Sequence, residues 1–405
     1  MKTPSAAASS TPRPHKDPDR MKTATVLALF FSGLFLIQGV FLPYWPVWLK
    51  SQGLSAAEIG ILLSLPNWVR VFADPLIAQR ADRTGNRKTP MLWLAGIYVI
   101  SILAFPLSSD FWWLAALSVV IGFTFSPLLP LGTTITVHEC KARELDYGRV
   151  RLWGSLAFIL ASYGAGWVLD STSTEWIVWM LFVAGIVNFA ITTRMPDPQT
   201  DRPLRSGSSL IYLLRKPVFL IYLACIGFAQ GAHGTYYAFA SVHWESVGFS
   251  HEMIGIFWSI GVIAEIVLFA VAGRFVRGRH PGILFALGAA SGILRWIVLG
   301  TSDNLWLIIL VQPLHAMTFG ITHLAAVSFI ARAIPQQLAT SAQSLMATLS
   351  MGVFLGSSIW VSGPLYEQFG SQVYYLMAAF SAIAFGFAIW LLQSWRGEDQ
   401  TFCDD

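Results

Sequence analysis

Apolar residues along most of this chain run together in blocks of twenty or so, split by short polar punctuation, rather than alternating with polar ones. A helix of about 20 residues crosses the hydrocarbon core of a bilayer. Twelve such blocks can be marked, at roughly 24–49, 57–79, 90–108, 111–136, 150–169, 176–193, 217–242, 253–273, 282–300, 304–330, 339–361 and 372–394. Only Ser108-Ser109-Asp110 divides the third from the fourth. A helix satisfies its own backbone groups where there is no water, so the predicted fold class is all-α and integral to a membrane. The first block follows a polar, Pro-rich, basic stretch, and its 27 uncharged residues from Thr23 to Leu49 are too many for a signal-peptide core. It is expected to be a retained span behind a disordered tail, residues 1–22.

The longest polar connection, residues 194–216, divides the blocks six and six. The halves, 23–193 and 217–395, carry an internal repeat, and residues 396–405 form a second tail. SQGLSAAEIGILLS (51–64) lies over SVGFSHEMIGIFWS (246–259), with Gly53, Ser55, Ile59, Gly60 and Ser64 each matched 195 positions later. Gln38-Gly39 and Tyr44 are echoed by Gln230-Gly231 and Tyr236. Parallel half-repeats of this kind mark transporters with two six-helix halves around a midplane site.

Composition agrees: 55% of the 405 residues are hydrophobic and only 12% charged, where soluble domains carry about 25% charged residues. The net charge of +4 reflects topology rather than nucleic-acid binding. Lys and Arg crowd the N-terminal tail, the loops after blocks two, four and eight, and the central connection, while the other side has Lys50 alone among Asp110, Asp170, Glu175, Glu245, Asp303 and Glu367. By the positive-inside rule both termini are expected in the cytoplasm. Cys140, Cys225 and Cys403 are too few and scattered for a disulfide framework or a metal site. His138-Glu139 lacks the second His of a helical zinc site, and neither a nucleophile motif nor a phosphate loop is present. No enzyme activity, cofactor or metal is expected. A sensor of this build would need an output domain, for which the tails look too short.

Chemistry in such a chain concentrates where an apolar block carries a charge. Glu265, near the middle of Met253–Gly273, is the clearest instance, since a charge at that depth costs roughly 2.5–3.5 kcal/mol on insertion scales. Arg70 stands 195 positions earlier, the repeat's offset, so the two occupy equivalent places in the two halves. Asp74, Arg151, Arg295, His233, His315 and His323 complete the set. Each has a plainer reading. Arg70 and Asp74, four apart, can neutralise each other, Arg151 can anchor a span end, and Glu265 can belong to a structural ion pair with Arg70 or Arg295. Gln312, His315, Thr318, Thr322 and His323 form a polar arc expected to line a water-filled cavity.

The loop ADRTGNRK (81–88) resembles the signature of the major facilitator superfamily, with Asp82, Arg83, Gly85, Arg87 and Lys88 in place. It departs from that pattern at Ala78 and Asn86, and AGRFVRGRHP (272–281) is a weaker echo with Arg277 in place of the acid. GVFLPYWPVWL (39–49), DYGRVRLWGS (146–155) and the run Gln230-Gly231-Ala232-His233 are similar to the lactose-permease group of proton symporters, nearest its aryl-carboxylate permeases. That resemblance implies twelve transmembrane helices in two pseudo-symmetric halves and a cytoplasmic latch around Asp82.

Lactose permease recognises sugar with an Arg of span five and an acid of span four; the matching positions here are Arg151 and Thr133. Its coupling Arg and His match Arg295 and His315, but the Glu that follows falls on Thr318. With both usual acids absent, Glu265 is the expected proton carrier, joined by His315 and Asp74. A substrate carboxylate is expected on Arg70, Arg295 or Arg151, with His233, Tyr236 and Tyr44 lining the cavity. The function this implies is proton-coupled uptake of a small, aromatic carboxylate by a monomer in a bacterial inner membrane, with a sugar or nucleoside symporter as the alternative and a drug exporter third. The partners implied are the substrate, a proton and the lipid bilayer, without nucleic acid.

Overall fold

The computed structural model describes residues 18–197, 209–276 and 278–397. Twelve spans follow in order: α1 (Pro18–Ser51), α2 (Ala56–Thr84), α3 (Lys88–Ala104), α4 (Phe111–Ala142), α5 (Tyr147–Asp170), α6 (Trp176–Thr192), α7 (Pro217–Ser246), α8 (His251–Val276), α9 (Pro281–Thr301), α10 (Leu305–Ala333), α11 (336–369) and α12 (Tyr374–Ser394). Ten helical stretches among the described residues are long and apolar enough to cross a membrane. The last, Gln336–Ser394, holds both α11 and α12, which turn back on each other at Gly370 (φ 55°). The shorter α6 supplies the twelfth span.

Several helices outrun their apolar blocks. Helix α1 starts at Pro18, so residues 18–22 are helical rather than part of a disordered tail; Pro18 tolerates the first turn and Asp19 complements the helix dipole there. Helix α4 passes through Ser126-Pro127 and continues to Ala142. The remainder of both tails, residues 198–208 of the central connection and Arg277 lie outside the described residues. The connection does hold a short helix, Ser209–Leu214.

The internal repeat is a repeat of structure. Gly53 and Gly248, 195 apart, both take left-handed backbone (φ 84° and 94°), where glycine avoids the clash a Cβ would make. Two residues on, Ser55 accepts from Glu58 N, and Ser250 accepts from Met253 N, so α2 and α8 begin with the same cap. The halves meet through equivalent pairs, α2 with α11 and α8 with α5, while α1 meets α7 between them.

Contact between the halves is tightest at what we term the far end, where α1 finishes and α2 begins. A Cβ on Gly60 would lie 2.8 Å from Gly363 Cα, and one on Gly255 would run into Ser162 O, with Tyr44 Oη 2.8 Å away. Gly166 is pressed against His251 O in the same way. These small residues let the backbones of the two halves touch.

Candidate functional site

Between the halves lies a cavity of two chambers that share Gln38, Leu42, Leu129 and Tyr237. One, of about 290 Å³, is bounded by Asn67, Arg70, Tyr98 and Ser126 among apolar side chains of both halves. The other, of about 260 Å³, holds Arg151 from the first half and Glu265 and His315 from the second. Its walls are aromatic: Phe35, Phe158, Tyr236, Tyr237, Trp258 and Phe319.

Arg151 sits one turn into α5, where a Cβ on Gly154 would come within 2.8 Å of its Nη1. Aromatic faces hold the guanidinium, 4.0 Å from the Phe35 ring centroid and 5.3 Å from Phe31. Such contacts are worth roughly 0.5–2 kcal/mol and leave the donors unused. Nη1 is buried with no hydrogen-bond partner, and Arg151 has no carboxylate at ion-pair distance among the described residues. It is near enough to Glu265 for the two charges to act on each other. A buried donor left open costs about 1–3 kcal/mol, so this guanidinium is suited to an anion delivered from outside the protein.

Glu265 faces His315 instead of an arginine, with Oε2 3.7 Å from Nε2. The histidine is oriented from behind. Arg295, fully buried, has Nη1 3.2 Å from His315 Nδ1 and also donates to Thr318 (3.2 Å) and Gln312 (3.0 Å). A guanidinium only donates, so Nδ1 must accept and the His315 proton rests on Nε2, the nitrogen that faces Glu265.

Arg295 therefore differs from the expectation that it binds substrate: it is sandwiched by Tyr236 (4.4 Å) and Trp296 (4.6 Å) behind the cavity wall. His233 is also enclosed, with Nδ1 3.1 Å from Ala229 O and Nε2 3.0 Å from Thr318 Oγ1. The polar arc of α10 points mostly into this packing: Gln312, Thr318 and Thr322 are buried against α7 and α9, and His315 alone of these reaches a chamber. Local winding contributes, since α10 passes through a 3₁₀ turn at Gln312–Leu314 and a π turn at Ala316–Ile321. Fewer residues per turn in the first and more in the second rotate the side chains off the regular α face.

The remaining predicted residues fall in three places. Arg70 lines the first chamber but is paired with Asp74 (3.5 Å), which accepts from Ser126 (2.6 Å). Tyr236 does reach the second chamber, its hydroxyl donating to Gln312 (2.9 Å). Tyr44 does not; its hydroxyl lies 2.8 Å from Ser162 O and 2.9 Å from His251 O at the far end. In the signature loop Gly85 takes left-handed backbone (φ 69°) to end α2, and Arg87 donates to Asp82 (2.6 Å). The backbones of Arg87 and Lys88 reach Asp197, and Arg83 sits in the last turn of α2. These contacts tie α2 and α3 to the start of the central connection, just after α6.

The cavity residues that sequence reasoning passed over, Gln38, Phe35, Phe158, Tyr237 and Ser155, carry no charge to draw attention. Gln38 had a signal in its echo at Gln230, and Ser155 closes the stretch DYGRVRLWGS.

A two-half bundle around an aromatic, singly cationic chamber defines a membrane transporter, and comparison with known proteins gives its family. Residues 22–377 match the MFS_1 like family, and the chain belongs to that family of major facilitator transporters. It is 31% identical over 355 residues to a probable 3-phenylpropionic acid transporter of Escherichia coli (strain K12), covering 87% of this chain and 93% of that one. A maltose permease of Geobacillus stearothermophilus is 25% identical over 367 residues, 89% and 92% of the two chains. Among solved structures, the nucleoside transporter NupG superposes with a TM-score of 0.76 at 18% identity, over 95% of this chain and all of that one.

Proposed function

We propose that this transporter carries small aromatic carboxylates of the 3-phenylpropionate type together with a proton. Arg151 would hold the carboxylate bidentately, and the rings of Phe35, Phe158, Tyr237 and Trp258 would enclose the aryl group. Glu265 would take the proton. The single observation that supports this reading most is the Arg151 guanidinium, buried on aromatic faces with an open donor, sharing a chamber with Glu265.

Coupling would follow from competition. An ionised Glu265 and a substrate carboxylate both draw on Arg151, and a second negative charge in a low-dielectric chamber favours proton uptake by one of them. Substrate and proton would then load together, and the rocking of the halves would release both on the other side. Residues 1–22 and 396–405 would lie in the cytoplasm of a bacterial cell, beside the inner membrane, and the far end would open outward. A monomer contains all the parts.

Sugar or nucleoside symport is the competing reading, favoured by the polar Gln38 and Ser155 and by the maltose-permease relative. Counterflow in proteoliposomes separates the two. Phenylpropionate should exchange while a panel of sugars and nucleosides does not, and a pH gradient should drive its accumulation. Exchange of sugars without aryl carboxylates would overturn the proposal.

A further inference from the structure

The far end holds an ionisable cluster that has no part in the substrate chamber. His251, the first residue of α8, lies between two carboxylates: Nδ1 is 3.1 Å from Asp170 Oδ1 and Nε2 is 3.3 Å from Glu245 Oε1. Asp170 ends α5 in the first half, whereas His251 and Glu245 belong to the second, so the first contact crosses between halves. Asp170 also accepts from the backbone N–H of His251 (2.8 Å) and Glu252 (3.0 Å). From α1, Lys50 reaches the other oxygen of Glu245 (3.0 Å) and Tyr44 packs beside the ring; from α5, Tyr163 donates to Glu252 (2.8 Å). These are the charged and titratable groups that surround His251 on each helix packed there.

Both ring nitrogens face carboxylate oxygens, which only accept when ionised. A neutral imidazole has one N–H and one lone pair, so it satisfies one of these carboxylates and sets a lone pair against the other. The imidazolium donates to both. Charge points the same way, because Asp170, Glu245 and Glu252 face Lys50 alone once the ring is neutral. The two backbone bonds to Asp170 persist in either form, so the proton on the ring adds to a closure that is already partly made.

We propose that His251 is a proton-binding site whose occupancy locks the far ends of the two halves together. With the proton bound, the ring bridges Asp170 of α5 and Glu245 of α7, and the mouth is held shut. Without it one carboxylate faces a ring lone pair, the bridge between Asp170 and Glu245 is broken on one side, and the mouth parts more readily. If the far end faces outward, acid outside biases the carrier towards the state that delivers cargo inward. This holds whichever solute is carried.

The test uses the full chain in nanodiscs, without substrate, so that failure of phenylpropionate transport does not bear on it. Thr172→Cys and Val247→Cys place spin labels on the loops after α5 and α7, with Cys403→Ser; Cys140 and Cys225 are buried. Electron–electron double resonance then reads the distance across the mouth. The open-to-closed ratio should rise roughly 10-fold between about pH 5.5 and about pH 8. His251→Gln should flatten that profile, and so should Asp170→Asn, whose single amide oxygen keeps one of the two backbone donors. A pH-independent distance in the parent, or a parental midpoint retained in either variant, would overturn the proposal.

Discussion

Lys50 and Glu245 form an ion pair at 3.0 Å between the two halves, and they stand 195 residues apart, the offset that relates one half to the other. Equivalent residues of two pseudo-symmetric halves can touch only beside the axis that relates them. The pair therefore marks where that axis leaves the far end, between α1 and α7, with the glycine contacts Gly60–Gly363 and Gly255–Ser162 on either side. Arg70 and Glu265, equally related by the offset, lie away from the axis and face separate chambers.

Glu265→Gln should separate exchange from energy coupling. Counterflow of phenylpropionate should persist within a few-fold, because the amide keeps the chamber's shape, while accumulation driven by a pH gradient disappears. Concentrative uptake with unaltered pH dependence would remove Glu265 from the proton's path.

Arginine substitutions should rank the two cations that line the chambers. Arg151→Gln takes away the open guanidinium and should weaken substrate binding at least about 10-fold, the loss of one charged hydrogen bond of roughly 1.5–3 kcal/mol. Arg70→Gln, in which Asp74 loses its partner, should weaken it far less. Equal effects in titration calorimetry would argue against the assignment to Arg151.

Arg295 should matter first for stability. Replacing it with Met takes a charged donor from Gln312 and Thr318, which keep Tyr236 and His233 as partners, and frees His315 to take either tautomer, at roughly 1.5–3 kcal/mol per lost charged hydrogen bond. A thermal midpoint several degrees lower is expected, and Arg295→Lys should recover only part of it because one ammonium cannot reach as the guanidinium fork does. An unchanged midpoint in Arg295→Met would contradict the network.

Gly255→Val should pry the far end open, since its side chain has no room against Ser162 O and the Tyr44 hydroxyl. Faster amide exchange through the first turns of α8 is the expected signature. Unchanged exchange would mean that the backbones do not meet there.

The spans, the two halves and the unusual carboxylate at Glu265 were legible in the sequence because each is a matter of length, period or depth. What a helix's sequence leaves open is its rotation. Arg151 and Arg295 are both arginines within apolar blocks, yet one turns to the cavity and the other to its neighbours, and only packing decides which. The irregular winding of α10 hid the facing of Gln312, Thr318 and Thr322 for the same reason. Lys50, Glu245, Asp170 and His251 looked like ordinary loop charges, although the 195-residue offset between the first two was there to be found.

One cation and one carboxylate in the substrate chamber have an electrical consequence. Empty, with Glu265 ionised, the chamber's charges sum to zero; loaded as proposed, with one aryl carboxylate and one proton, they would sum to zero again, and the Arg70–Asp74 pair adds nothing to either total. A membrane voltage acts on moving charge at about 2.3 kcal/mol per elementary charge per 100 mV. With no net charge moving in either direction of the cycle, that voltage has nothing to pull on. The carrier should be driven by the proton concentration ratio alone and be indifferent to a potassium diffusion potential imposed across the vesicle.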